Sequence, residues 1–393
     1  MPAQTFFCIL LIQVQPASAA QPATHTVPFS SVDGWITVDA TVDGQGPFRF
    51  VIDSGAETNF LSPQAARALA LTPSGKRTIQ GAGERKVFGA HTRIHDIRIG
   101  SLTMRKLDFY VVSMPFQRTD RAGGIPIAGF LGFYALRQWT WAIDFEHRTL
   151  QITRGASFVY RGKGVAVPFR LSDHGIPVIT GAIDGWPATF KVDTGDGGSL
   201  TLYASFAQIR HFLQRHPSEV KVITGQGVGG YVRSVVTRAT SLTIGPFDLP
   251  NPFTEVSLQK AGACSDSRFA GTIGSAALSR FAIILDYAHH RIYFQKNDRY
   301  YRRDVFNRAG VVIDRLLPKA GLHVVDVIKG SPADRAGMAP GDMIETIDGR
   351  AAGSLTVSAV RKKFKQQAWT HVKLEYRSGG ALHDALLVLR DLV

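Results

Sequence analysis

Runs of Val, Ile, Phe and Thr alternate with polar residues along most of the chain, and Gly, Pro or Asp cuts each run after a few positions. A two-residue period bounded by turn residues predicts short β-strands of a barrel or sandwich. Two stretches read instead as helices: SPQAARALAL, with Ser62 as N-cap and Pro63 at the first helical position, and LYASFAQIRHFL, from Leu202. The expected fold is mainly β, with two duplicated β-barrel lobes over 27–155 and 165–297. A loop around Arg161-Gly162-Lys163-Gly164 joins them, and a small α+β domain follows over 308–393.

The duplication is read from the residues. VPFSSVDGWITVDATVDGQGPFRFVIDSGA from Val27 lies in register with VPFRLSDHGIPVITGAIDGWPATFKVDTGD from Val167. Pro28 precedes Asp53 by 25 positions, and Pro168 precedes Asp193 by the same interval. Each half has a hairpin turn before its last strand, at Asp43-Gly44 and Asp184-Gly185. Downstream come Gly-rich bends (Gly81 to Gly83; Gly225 to Gly230), Ile-Gly turns at Gly100 and Gly245, and the matching segments AGFLGFYAL and AGTIGSAAL. Repetition at this density marks one design used twice.

Asp-x-Gly alone is an ordinary turn. Its recurrence in register changes the reading of Asp53 and Asp193. An amide yields to water only if one group deprotonates the water while another protonates the carbonyl oxygen. Two carboxylates sharing one proton do both, since like charges that close do not both ionise easily. Gly55 and Gly195 permit tight turns, and the hydroxyls of Ser54 and Thr194 are placed to cross-link the two loops. Asp144 and Asp286 also repeat, but sit between apolar strand residues and basic turns, and read as hairpin residues. The histidines lack partners at ligand spacing, so no metal site is expected. No cofactor motif is present: the Gly-rich bends run into no Lys-Ser/Thr helix start. Cys264 reads as a free thiol.

The paired motifs resemble those of aspartic peptidases, in particular the bacterial two-lobed, retropepsin-like group with a C-terminal PDZ domain. The resemblance covers roughly 27–297. It rests on Val51-Ile52-Asp53-Ser54-Gly55 with Phe130-Leu131-Gly132, and on Lys191-Val192-Asp193-Thr194-Gly195 with Thr272-Ile273-Gly274. It implies that Asp53 and Asp193 are the catalytic dyad, that Gly132 and Gly274 belong to strands packed behind it, and that Gly81-Ala82-Gly83 forms the flap over the substrate. The second half departs from the pattern at Asp196, where the first has Ala56. A third carboxylate there either perturbs the shared proton or points to solvent.

Beyond Arg299 the pattern changes, and GLHVVDVIKGSPADRAGMAPGDMIETIDG resembles a bacterial PDZ domain. Ser331 caps a short helix with Pro332 at its first position and Gly337 after its end, and a second helix runs from about Leu355 to Phe364. By that resemblance, Arg308-Ala309-Gly310-Val311 is the loop that holds a peptide carboxylate, with Val312 opening the edge strand. The loop departs from the family's Gly-Leu-Gly-Phe form.

Composition adds two points. The net charge of +14 is spread over the surface, apart from modest clusters at Arg299, Arg302, Arg303 and at Arg361, Lys362, Lys363, Lys365. No zinc-finger spacing or aromatic RNA-binding motif accompanies them, so a nucleic-acid partner is not expected. The apolar run from Phe6 to Val14, followed by Ala17-Ser18-Ala19, has the layout of a signal peptide over residues 1–20, although its basic leader is missing. It is too short for an ordinary membrane span. The expected product is therefore exported, periplasmic or secreted, and anchored only if that segment stays uncleaved.

The reading drawn is an aspartic endopeptidase acting on polypeptides without metal or cofactor, with a PDZ domain that binds protein C-termini or regulates access. The alternative is a catalytically silent peptidase fold that binds peptides through its PDZ domain.

Overall fold

A computed structural model describes residues 23–114, 126–315 and 321–393, so the signal-like segment lies outside the described residues. Strands dominate, in four sheets. One eight-stranded sheet is built from residues of the first half and one ten-stranded sheet from the second. A six-stranded sheet joins the halves, in the order Thr24–Pro28, Thr149–Arg154, Trp139–Asp144, Phe281–Asp286, Arg291–Lys296, Val165–Pro168. Its central pair places Trp141 opposite Leu285 and Ile143 opposite Ile283. Equivalent positions of the two halves thus meet at the middle of the molecule.

Period-two burial is clearest in Trp35–Val42, where Ile36, Val38, Ala40 and Val42 are buried while Asp39 and Thr41 face solvent. Phe50 and Phe190, each three residues before its aspartate, are wholly buried. Truncating such a side chain to Ala costs about 3–5 kcal/mol. The hairpin turns that set the register are also alike. Asp43-Gly44 and Asp184-Gly185 all have positive φ, the geometry that twists with its strands. The aspartates brace these turns from outside: Asp43 accepts from the Asp96 N–H, and Asp184 from Thr240 and Ser241.

The first expected helix forms over Pro63–Ala68, with the Ser62 hydroxyl accepting from the Ala65 N–H at 2.9 Å. The second is broken. Ala204–Ile209 and Phe212–Arg215 are separate short helices because His211 adopts the left-handed conformation between them. Asp144 and Asp286 close their hairpins, each accepting backbone N–H bonds from the following turn. Among the described residues no helix is long and apolar enough to cross a membrane.

The fourth sheet, in the order Val311–Asp314, Leu322–Val327, Met343–Ile347, His371–Ser378, Ala381–Val388, is flanked by the helices Pro332–Arg335 and Val357–Lys363. Ser331 and Thr356 cap these helices through their hydroxyls. This unit has its own core around Leu322, Ile344, Val360 and Leu387. It also rests on the second half: Ile328 packs with Val222, Val236 and Phe253, and the Asp326 carboxylate accepts from the Ile223 N–H at 2.8 Å.

Candidate active site

Two parallel strand pairs position the aspartates. In the first half Gln45–Ile52 runs beside Ile127–Leu131, and the Asp53 N–H donates to the Leu131 carbonyl at 3.0 Å. In the second, Trp186–Asp193 runs beside Gly271–Gly274, with Asp193 paired to Gly274. The chain turns at once after each aspartate. Gly55 donates to Asp53 Oδ1 at 2.9 Å, and Gly195 to Asp193 Oδ1 at 2.8 Å. Each glycine lies under the opposite carboxyl: a Cβ on Gly55 would overlap the Asp193 carboxyl, and one on Gly195 the Asp53 carboxyl. The absent side chains are what let the two loops approach.

The loops are tied by a reciprocal cross-link in which both hydroxyls are buried. Ser54 N–H donates to Thr194 Oγ1 at 3.0 Å, and that hydroxyl donates to the Ile52 carbonyl at 2.7 Å. Conversely, Thr194 N–H donates to Ser54 Oγ at 3.0 Å, and Ser54 Oγ donates to the Val192 carbonyl at 2.9 Å. Behind each loop the close backbone leaves no room for a side chain at Gly132, beside the Thr58 and Ala56 carbonyls, or at Gly274, beside those of Gly198 and Asp196. The next residue closes the shell identically: Phe133 N–H donates to Ala56 O at 2.8 Å, and Ser275 N–H to Asp196 O at 2.7 Å.

The Asp53 and Asp193 carboxyls share a hydrogen bond, and both line a cavity of about 1860 Å³. Burial raises both above the usual carboxylate range, and the charge of Asp53 adds to the rise at Asp193. Protonation of one against ionisation of the other is the arrangement such a pair settles into. Asp196, the departure from the repeat, does not reach away to solvent. Its Oδ1 accepts from the Gly198 N–H at 2.7 Å and its Oδ2 from the Thr201 hydroxyl at 3.3 Å, and its charge raises Asp53 further.

Sequence reasoning missed several groups that line the same cavity. Glu255 lies beyond Asp196, and burial, then the Asp196 charge, pushes it up to about 7. Lys191 is buried beside Asp266, with its ammonium over the Phe269 ring, and burial lowers its pKa. Neither has a charged counterpart in the first half, where Val51 stands at the position of Lys191 and Tyr110 at that of Glu255 by strand register, and no repeated motif flags them; only the folded surroundings do. Cys264, close by, is a thiol pushed by burial to about 12, which leaves it un-ionised.

Gly81 and Ala82 of the Gly81-Ala82-Gly83 bend line the cavity, and the bend does not stand alone. The Gly83 N–H donates to Val228 O at 3.0 Å, and Arg85 N–H to Gly229 O at 3.2 Å. The bends of both halves therefore meet tip to tip, with Gly262 beneath the carbonyls of Gly81 and Gly83. The loop Arg308-Ala309-Gly310-Val311 is placed differently from what a ready carboxylate pocket requires. The N–H groups of Ala309 and Gly310 both donate to the Asn307 side-chain carbonyl at 3.1 Å, and that of Arg308 to Phe364 O at 2.8 Å. The short polar side chain of Asn307 folds back on its own loop, as such residues do in turns.

The aspartyl protease family model matches residues 38–135, and the PDZ domain family model matches residues 323–378. A probable CtpA-like serine protease of Staphylococcus saprophyticus is 27% identical over 123 residues, 31% of this chain and 25% of that protein. The chloroplastic carboxyl-terminal-processing peptidase 2 of Arabidopsis thaliana is 39% identical over 62 residues, 16% of this chain and 12% of that one. The chain thus spans a quarter or less of the curated relatives it matches. Among solved structures, basic 7S globulin from soybean aligns with a TM-score of 0.41 and 12% identity, over 70% of this chain and 95% of that one. The chain carries an aspartyl protease domain in its N-terminal region and a PDZ domain at its C-terminus.

Proposed function

We propose that the protein is an exported aspartic endopeptidase in which Asp53 and Asp193 activate water against a peptide bond. The observation that carries the reading is the pair itself: two hydrogen-bonded carboxyls on loops locked together by the Ser54–Thr194 cross-link, at the floor of a cleft large enough for a polypeptide. Asp193 holds the shared proton, since its affinity for it is raised further by the neighbouring Asp53 charge. The ionised Asp53 takes a proton from water as the water oxygen bonds to the scissile carbonyl carbon. Asp193 gives its proton to the carbonyl oxygen, and a neutral gem-diol results. Collapse returns a proton from a gem-diol hydroxyl to one carboxylate, while the amide nitrogen leaves with the proton taken up earlier. No covalent intermediate forms, in contrast to the nucleophilic route of a serine peptidase. The facing glycines and the cross-link hold the two carboxyls within reach of one water, which is where the rate enhancement of positioned groups arises.

The relative named as a serine protease makes the nucleophile the point to test. Cleavage of an unfolded polypeptide is expected to survive a serine-directed fluorophosphonate and to stop with a statine-type peptide. Inactivation by the fluorophosphonate with covalent labelling of the chain would reject the aspartic mechanism.

A further inference from the structure

The PDZ unit contributes one wall of the cleft, and its peptide groove is crossed by one of the protein's own side chains. The groove lies between the edge strand Val311–Asp314 and the helix Val357–Lys363, and residues of both line the cavity that also contains Asp53 and Asp193. An edge strand normally offers free carbonyls to an incoming strand. Here the Val311 carbonyl accepts from the Asn307 amide at 2.7 Å, and the Ile313 carbonyl from Arg361 Nη2 at 3.2 Å. Arg361 therefore crosses the groove, and its other terminal nitrogen pairs with the carboxylate of Asp33. Asp33 belongs to a different part of the fold: the Asp33-Gly34 turn of the first half, which packs on Gly197 beside the Asp193 loop.

The two basic clusters, about sixty positions apart in sequence, converge on this mouth. Arg299, Arg302, Arg303, Lys362 and Lys365 all line the cavity, and none of them forms an ion pair among the described residues. Their bland role would be to complement the carboxyl end of the helix Val357–Lys363. That accounts for Lys362 and Lys365 at most, since Arg299, Arg302 and Arg303 lie on the connecting segment before the PDZ unit. Unpaired cations around a groove whose one crossing arginine already holds a carboxylate select for negative charge.

We propose that this mouth is a docking surface for an acidic polypeptide segment, and that Asp33 is the internal stand-in for a carboxylate of that ligand. The incoming strand takes the Ile313 carbonyl from Arg361, and its Asp or Glu side chain takes Arg361 from Asp33. Binding then frees the turn that rests on Gly197, so ligand in the groove and closure of the first half on the dyad loop are linked. The selection for acidic segments does not require the dyad to be catalytic.

The test uses the full chain carrying Asp193→Asn, so that nothing is digested, and a fluorescein-labelled peptide rich in Asp and Glu beside the same peptide with Asn and Gln. Fluorescence anisotropy at low salt is expected to show tighter binding of the acidic peptide, lost as salt rises. Adding Asp33→Asn removes the competitor and tightens the acidic peptide about 5-fold, the size of one half-exposed ion pair. The double change Arg302→Glu with Lys365→Glu, which leaves Arg361 and Asp33 intact, weakens it by about 10-fold or more. Circular dichroism melts identify any variant that fails to fold. Equal affinity for the two peptides, or unchanged or weaker acidic-peptide binding in a folded Asp33→Asn protein, would overturn the proposal. Should the dyad prove inert, these binding results stand unaffected.

Discussion

Replacing Thr194 by Val keeps the shape of the side chain and deletes its hydroxyl, which makes it the sharpest probe of the loop cross-link. Thr194 is fully buried. Its hydroxyl accepts from the Ser54 N–H at 3.0 Å and donates to the Ile52 carbonyl at 2.7 Å. Valine satisfies neither, and water has no route to a site with no exposed surface. Each stranded buried group costs about 1–3 kcal/mol, so for the two groups the expected loss is about 2–6 kcal/mol. Volume is conserved, so no cavity cost is added. Thr194→Ser restores both bonds and leaves only a methyl-sized gap, worth about 1 kcal/mol. Urea unfolding followed by tryptophan fluorescence compares the three proteins, and Trp141 in the sheet joining the halves reports on that body. Activity should fall with Val and largely persist with Ser, since the same bonds fix the separation of the carboxyls. A Val protein within about 0.5 kcal/mol of the parent, or a Ser protein as damaged as Val, would refute the reasoning.

Three further outcomes are expected. Gly55→Ala places a methyl group where the Asp193 carboxyl lies, and the displaced pair should lose about 100-fold or more in kcat on a peptide substrate while the chain stays folded. Glu255 is pushed up to about 7, so the folded chain holds a proton that the unfolded chain releases near pH 4; its presence therefore lowers stability as pH rises from about 4 to 7. Glu255→Gln should raise Tm at pH 8 and leave it little changed at pH 4, as differential scanning fluorimetry would show. Asp196→Asn removes a charge that raises Asp53, the carboxylate that must be ionised to take the proton from water, so the acidic limb of kcat/KM against pH should move to lower pH.

Asp53 and Asp193 were legible in the chain because repetition turned a common turn motif into a pair at matching positions. The roles of glycine were legible for the same reason: Gly55, Gly195, Gly132 and Gly274 recur where backbone or carboxyl comes too close for a side chain. Local chemistry carried the caps at Ser62 and Ser331, since a hydroxyl three residues before a free N–H needs no tertiary context, whereas the Thr356 cap went unread. The helix break at His211 was hidden because its left-handed backbone has no side-chain signature there. Hidden too was the meeting of Arg361 with Asp33, residues from opposite ends of the chain that no periodicity connects. The loop before the PDZ edge strand was recognised by its position, yet what fills it, the Asn307 side chain, lies one residue outside the motif. Glu255 sits in an ordinary strand, and its unusual proton affinity is set by burial and by the neighbouring Asp196 carboxyl.

The most direct measurement is the rate at which an unfolded polypeptide is cleaved by the parent chain and by Asp53→Asn and Asp193→Asn, each assayed at pH 5 by mass spectrometry of the products. The two isosteric changes keep the shape of each side chain and remove its capacity to exchange a proton. Loss of at least about 1,000-fold in kcat for both is expected if the two carboxyls act as one unit. Cleavage by either variant within about 10-fold of the parent would contradict the account.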